Sequence, residues 1–174
     1  PFWKSRLDGV PDNGFSVEDF DPLPFFDGNA KEARRADRFQ QFALAASHEA
    51  ITQAGDFISD PTLAGAIIGT GVGGLSTLEN QVSVLADKGP RRVSPFLVPM
   101  MMANAASASV SMKYGLQGPC ETTVTACAAG THSIGRAADL IRAGKVKCMV
   151  AGGAEAALTP IGMQGFINMT AISS

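Results

Sequence analysis

The sequence predicts an α/β fold, on three observations. Short apolar runs next to glycines, residues 64–69 and 148–151, read as buried strands. Around them, apolar residues recur at three- and four-residue steps, the period of a helix. The chain is 45% hydrophobic but only 7% aromatic, with 19 glycines. That mixture suits helices packed closely on a sheet better than an all-β sandwich. Its 174 residues are enough for one domain with a sizeable core.

Residues 1–27 are rich in Pro, Gly, Asp and Phe, show no period, and read as an irregular covering segment. A helix is expected over residues 30–54. Asn29 is its N-cap, Glu32 sits at the third helical position and Gly55 is its stop, and Ala36, Phe39, Ala43, Ala46 and Ala50 form one stripe. After the 64–69 strand, Leu75, Leu78, Val82 and Leu85 mark a second helix closed by Gly89 and Pro90. Residues 100–112, rich in Met, Ala and Ser, predict a third, tightly packed helix ending near Gly115. The β-branched run 121–125 predicts a strand. Ile134, Ala137, Ala138 and Ile141 give a helical face ending at Gly144, before the 148–151 strand and Gly152-Gly153.

The formal charge of −2 gives no global attraction to nucleic acid or an anionic membrane. No apolar run is long enough to span a bilayer, and no signal peptide is present. Three cysteines, Cys120, Cys127 and Cys148, lack metal-ligand spacing and point to a reduced, cytoplasmic setting. The chain starts at Pro1 without an initiator Met and stops at Ser174 after an apolar stretch with no polar closing element. Both ends read as cuts in a longer protein.

Chemistry concentrates at Val124-Thr125-Ala126-Cys127-Ala128-Ala129-Gly130-Thr131-His132. Cys127 falls where a predicted strand ends and a helix begins. Amides at a helix start lack intrahelical acceptors and carry partial positive charge, so they favour an ionised sulfur and can face an oxyanion. Small neighbours leave room for a substrate. Position alone is equally compatible with a small buried hydrophobe. Cys120 and Cys148 read as structural. His132, five residues along the helix, should point away from the sulfur. His48 sits between stripe positions and reads as a surface or packing residue, so neither histidine is placed as a base.

Five motifs occur in order: residues 31–39 (KEARRADRF), 69–74 (GTGVGG), 89–96 (GPRRVSPF), 124–132 around Cys127, and 151–155 (AGGAE). Together they resemble the elongating β-ketoacyl-acyl-carrier-protein synthases, type II enzymes of the thiolase-like superfamily, over nearly the whole chain. The resemblance implies a layered α-β-α arrangement with a mixed sheet of the five-stranded type. It makes residues 1–174 the N-terminal part of such a domain, without its first strand and C-terminal half. The implied reaction is a decarboxylative Claisen condensation: Cys127 takes an acyl chain from acyl carrier protein, and malonyl carrier protein supplies the attacking carbanion. The implied product is 3-oxoacyl carrier protein of fatty-acid elongation.

The family's active-site histidines, lysine and gating phenylalanine belong to its second half, so this chain alone is expected not to turn over. By motif position, Val72, Gly162 and Phe166 line the acyl pocket, and Leu97 and Met101 stand where a dimer partner closes it. Lys31, Arg34, Arg35, Arg91 and Arg92 match carrier-docking positions. Lys31, Arg34, Arg35 and Arg38 also fall at helical steps on one face, and Arg38 reads as solvated helix charge. Family members are homodimers, with the 121–126 strand near the contact. No cofactor, metal, nucleic acid or membrane is implied. Rival readings are a polyketide ketosynthase of the aromatic type, a cysteine hydrolase and a non-catalytic binding or oligomerisation module. The Gly130-Thr131-His132 run favours fatty-acid elongation, and a hydrolase would need an acid or imidazole converging on Cys127.

Overall fold

The computed structural model describes residues 17, 19–56 and 58–172, so the expectation of an irregular start lies largely outside the described residues. The helices are α1 (Ala30–Ala33), α2 (Arg38–Ala54), α3 (Leu75–Lys88), α4 (Leu97–Met101), α5 (Ala105–Tyr114), α6 (Ala129–Arg142) and α7 (Pro160–Asn168). The strands are β1 (Ala64–Gly69), β2 (Cys120–Glu121) and β3 (Cys148–Gly153). They form one parallel sheet in the order β2-β1-β3, with Ala66 opposite Cys120 and Val150.

All six residues of β1 are buried, as expected for a strand covered on both faces. Its alternation sorts the core. Ala64, Ala66 and Ile68 pack with Phe39, Ala43 and Leu44 of α2 and with Ala105, Ala106 and Val110 of α5. Ile67 packs on the other side with Ala137 and Leu140 of α6 and with Val146. The result is the layered α-β-α arrangement. Among the described residues the sheet is a partial one of three strands, all parallel.

The helix expected over 30–54 is two helices. Asn29 caps the first, accepting from the Lys31 and Glu32 amides. Asp37 then takes an extended backbone and caps the second, accepting from Phe39 N–H while Gln40 Oε1 accepts from Asp37 N–H (2.6 Å), a reciprocal capping box. The same buried carboxylate accepts from Ser76 Oγ (2.9 Å), Thr77 N (2.9 Å) and Thr77 Oγ1 (2.5 Å) at the start of α3. The local capping box and these tertiary bonds together override the helical period at the break. The buried face of α2 is Phe39, Gln40, Ala43, Leu44 and Ser47, while Ala46 and Ala50 are exposed.

Residues 100–112 are likewise divided, with Met102 extended (ψ 134°) between α4 and α5. The 121–125 strand shortens to β2, although Thr70 N–H donates to Thr123 O (3.1 Å) beyond it. The buried Ser107 hydroxyl stitches this edge, accepting from Ile68 N–H (2.9 Å) and lying 2.7 Å from Glu121 O. The α6 face is Ala129, Ser133, Ala137 and Leu140, and Ile134 and Ile141 turn outward. Leu78, Val82 and Leu85 of α3 also turn outward. The α7 helix lies in the apolar stretch near the end of the chain, and Thr159 caps it, accepting from Gly162 N–H (3.2 Å).

Candidate active site

The site forms where parallel strands end, the edge at which α/β sheets leave a crevice. Glycines let the walls touch. A Cβ on Gly69, the last residue of β1, would overlap the Ala129 carbonyl oxygen, and one on Gly153, the last of β3, would lie 2.8 Å from Gly130 Cα. The first turn of α6 is therefore pressed against the ends of β1 and β3.

Cys127 stands on the elbow leading into that turn. Ala126 has φ 49°, a left-handed conformation costly for a residue with a Cβ. A single 3-10 turn, Ala126–Ala128, follows, with Ala128 N–H donating to Thr125 O (3.1 Å). The elbow turns Cys127 outward, so the sulfur-bearing residue is exposed rather than enclosed in an apolar interior. Ala129 N–H in turn donates to Ala126 O, so Cys127 stands just ahead of the hydrogen-bond ladder of α6, the end of a helix that favours negative charge.

Beside Cys127 lies a cavity of about 480 Å³, largely apolar, walled by Val72, Leu75, Ala157, Gly162, Phe166 and Glu155 among others. Four sequence-selected residues, Cys127, Val72, Gly162 and Phe166, thus share one cavity. A Cβ on Gly162 would overlap Ala157 O and stand 3.2 Å from Leu75 Cδ2, so this wall requires glycine. Leu97 and Met101 lie on α4 and do not line the cavity within this chain.

The histidines stand apart. His132 Nδ1 is 2.8 Å from Thr125 Oγ1, and His48 Nδ1 is 3.1 Å from Tyr114 Oη with its ring edge-on to Phe25. Neither lines the cavity. Burial pushes the Cys120 thiol up, partly offset by a Ser111 hydrogen bond, and burial alone pushes the Cys148 thiol up. Among the described residues no group of three His, Cys, Asp or Glu could hold a metal ion.

The basic residues do not share one helix face, because α1 ends before Arg34 and α2 begins at Arg38. Lys31, Arg34, Arg35, Arg91 and Arg92 are exposed, and none forms an ion pair with another described residue. The Arg35 guanidinium lies 3.9 Å over the Phe96 ring, tying α1's exit to the segment that carries Arg91 and Arg92. Arg38 is not solvated helix charge. Its guanidinium donates to Val17 O (3.1 Å) and Phe20 O (3.4 Å) and stacks on Phe20 and Phe42, clamping the preceding segment.

A larger concavity of about 710 Å³ opens beside α2 and α5, near Phe25, Arg35, Pro99 and Met112. Among the described residues no cysteine or histidine lines it, so the cavity beside Cys127 is the candidate site. Sequence reasoning assigned no role to Glu155, although it closes the AGGAE motif. Its Oε2 accepts from Gly71 N–H (2.6 Å) and Val72 N–H (3.1 Å) across the cavity wall.

Comparison with known proteins follows the same lines. The family model of the β-ketoacyl synthase N-terminal domain matches residues 6–174. The chain is 48% identical over 162 residues to 3-oxoacyl-(acyl-carrier-protein) synthase 2 of Synechocystis, covering 92% of this chain and 38% of that protein. It is 47% identical over 146 residues to the Staphylococcus aureus protein of the same name, covering 83% and 35%. It therefore spans little more than a third of the length of these curated relatives. A crystal structure of a β-ketoacyl synthase from Burkholderia phymatum superimposes with a TM-score of 0.72 at 27% identity, covering 92% of this chain and 38% of that one. A type II polyketide ketosynthase in complex with its acyl-carrier protein gives 0.78 at 23% identity, covering 88% and 44%, a likeness of fold.

Proposed function

The chain belongs to the β-ketoacyl synthase family, and from that premise we propose that it supplies the nucleophile and acyl pocket of a 3-oxoacyl-acyl-carrier-protein synthase of fatty-acid elongation. The observation that carries this reading is the exposed Cys127 on a strained elbow, at the wall of a cavity lined by Val72, Gly162 and Phe166. The Cys127 thiolate attacks the thioester carbonyl of an acyl carrier protein. The carbonyl oxygen takes up the negative charge, facing the elbow amides, and the carrier thiolate leaves and is protonated. The alkyl chain lies along Val72, Gly162 and Phe166. Malonyl carrier protein then loses carbon dioxide, and its enolate carbon attacks the Cys127 thioester. A carbon–carbon bond forms, the sulfur–acyl bond breaks, and 3-oxoacyl carrier protein departs with the thiolate restored.

Among the described residues, Glu155 and Cys127 are the cavity's only titratable side chains, and no imidazole or ammonium group lines it. Acyl transfer is therefore the step this chain's own residues support, and decarboxylation needs groups it does not place there. The carrier protein would dock on Lys31, Arg34, Arg35, Arg91 and Arg92. In the whole protein, a homodimer, the partner would approach near Leu97 and Met101. A cytoplasmic setting agrees with the three free cysteines, and no described helix is long and apolar enough to cross a membrane.

The test is to incubate the 174-residue chain with decanoyl carrier protein and map adducts by peptide mass spectrometry. A decanoyl adduct on Cys127, absent from Cys127→Ala, is expected. No adduct in the wild-type chain, or one that persists in Cys127→Ala, overturns the reading. Adding malonyl carrier protein should give no 3-oxoacyl product from this chain by itself.

A further inference from the structure

The loop after β1 is held from across the cavity. Thr70 Oγ1 accepts from Gly73 N–H (3.1 Å), and Glu155 Oε2 accepts from Gly71 N–H (2.6 Å) and Val72 N–H (3.1 Å). Three consecutive loop amides are thus spent on two side chains, and the carboxylate belongs to the segment after β3, 84 residues from Gly71. The fit is close: a Cβ on Gly71 would lie 2.8 Å from Glu155 Oε2. Ionised carboxylates accepting amide hydrogens make shorter, stronger bonds than neutral acceptors. This one ties two walls of the cavity at the point where Val72 enters its lining.

We propose that Glu155 is a positioning residue for acyl-chain selectivity: by holding the Gly71 and Val72 amides it fixes where Val72 stands, and with it the length of alkyl chain that fits beside Cys127. This rests on the acyl-transfer reading above. Without the carboxylate the two amides turn to water, the loop relaxes and the Val72 wall ceases to discriminate. Glutamine keeps an oxygen that can accept from both amides, so Glu155→Gln should retain selectivity. Gly71→Ala should act like Glu155→Ala, because its added methyl group displaces the carboxylate.

The experiment measures rates of Cys127 acylation by hexanoyl-, decanoyl- and tetradecanoyl-pantetheine in the wild type, Glu155→Ala, Glu155→Gln and Gly71→Ala. Iodoacetamide alkylation of Cys127, indifferent to chain length, is read in parallel. The ratio of fastest to slowest chain is expected to fall about tenfold in Glu155→Ala and Gly71→Ala, the scale on which apolar pockets discriminate methylenes. It should stay within about twofold of wild type in Glu155→Gln, with alkylation changing in none by more than about twofold. A wild-type ratio in Glu155→Ala overturns the proposal, as does a common change in alkylation and every acylation rate, which marks general loosening. Absence of acylation in the wild-type chain refutes the acyl-transfer reading itself and takes this inference with it.

Discussion

Gly69 and Ala129 meet backbone to backbone, with no room for a side-chain carbon between the end of β1 and the first residue of α6. That contact fixes the height of the elbow above the sheet and therefore the place of Cys127. Gly69→Ala should force the two elements apart. Overpacking of this kind costs about 1–3 kcal/mol, or a fall in melting temperature of roughly 5 °C for a chain of this size. Cys127 alkylation should slow in the same variant as the elbow shifts. An unchanged melting curve and labelling rate would show that the contact yields freely.

Cys120 and Cys148 should label more slowly than an ordinary thiol near neutral pH. Burial raises the Cys120 and Cys148 thiols, so both stay protonated further up the scale than an ordinary thiol. Near pH 7.5, roughly a unit below the ordinary thiol value, their thiolate fractions and alkylation rates are depressed, and both should climb as pH rises. The linkage has a matching sign. Raised folded-state values contribute stability that is complete below about pH 8.5 and is lost as pH rises toward the folded values. Quantitative mass spectrometry of iodoacetamide labelling should find the Cys127 peptide modified first at neutral pH. Equal labelling of all three cysteines there would contradict this order.

Asp37 joins two helices through one carboxylate, and its loss should be felt in both. Removing a helix cap costs about 1 kcal/mol, and hydrogen bonds to a charged group are worth about 1.5–3 kcal/mol. Asp37→Ala should therefore lower stability by about 3 kcal/mol, and Asp37→Asn, which keeps an acceptor, by less. Urea denaturation of these variants beside Ser76→Ala, which removes one bond, tests the ranking. Equal midpoints for Asp37→Ala and Ser76→Ala would show that the carboxylate acts only through Ser76.

Local signals carried much of this architecture. The continuous apolar run at β1, the Asn29 cap and the Gly55 and Gly89 stops are determined by neighbours in sequence, and they stand where expected. The break at Asp37 had a local signal, an acidic cap with Gln40 three residues on, which the continuous alanine stripe obscured. Its further bonds to Ser76 and Thr77 lie outside any window around residue 37. Ile134 and Ile141 turned out exposed because the sheet selects the face carrying Ser133, whose hydroxyl lies 2.7 Å from Thr123 Oγ1. At the site, the place of Cys127 just before a helix was legible from its small neighbours, although β2 ends at Glu121, well before the elbow. Glu155 was not, since its two partners lie 83 and 84 residues away.

The proposed carrier surface can be separated from the packing it shares. Arg35 stacks on Phe96, so reversing its charge also removes a contact that holds the 90–97 segment. Arg34 closes α1 and is exposed, with no ion-pair partner among the described residues, so Arg34→Glu changes charge with little else. Arg142, paired with Asp139 at the end of α6, is a control on the opposite layer. Binding of acyl carrier protein, read by fluorescence anisotropy, should weaken about tenfold in the Arg34→Glu, Arg91→Glu double variant. Its dependence on salt should become shallower, because less attraction remains to be screened. Arg142→Glu should bind as the wild type does. If the double variant and the control bind alike at every ionic strength, the proposed docking surface is overturned.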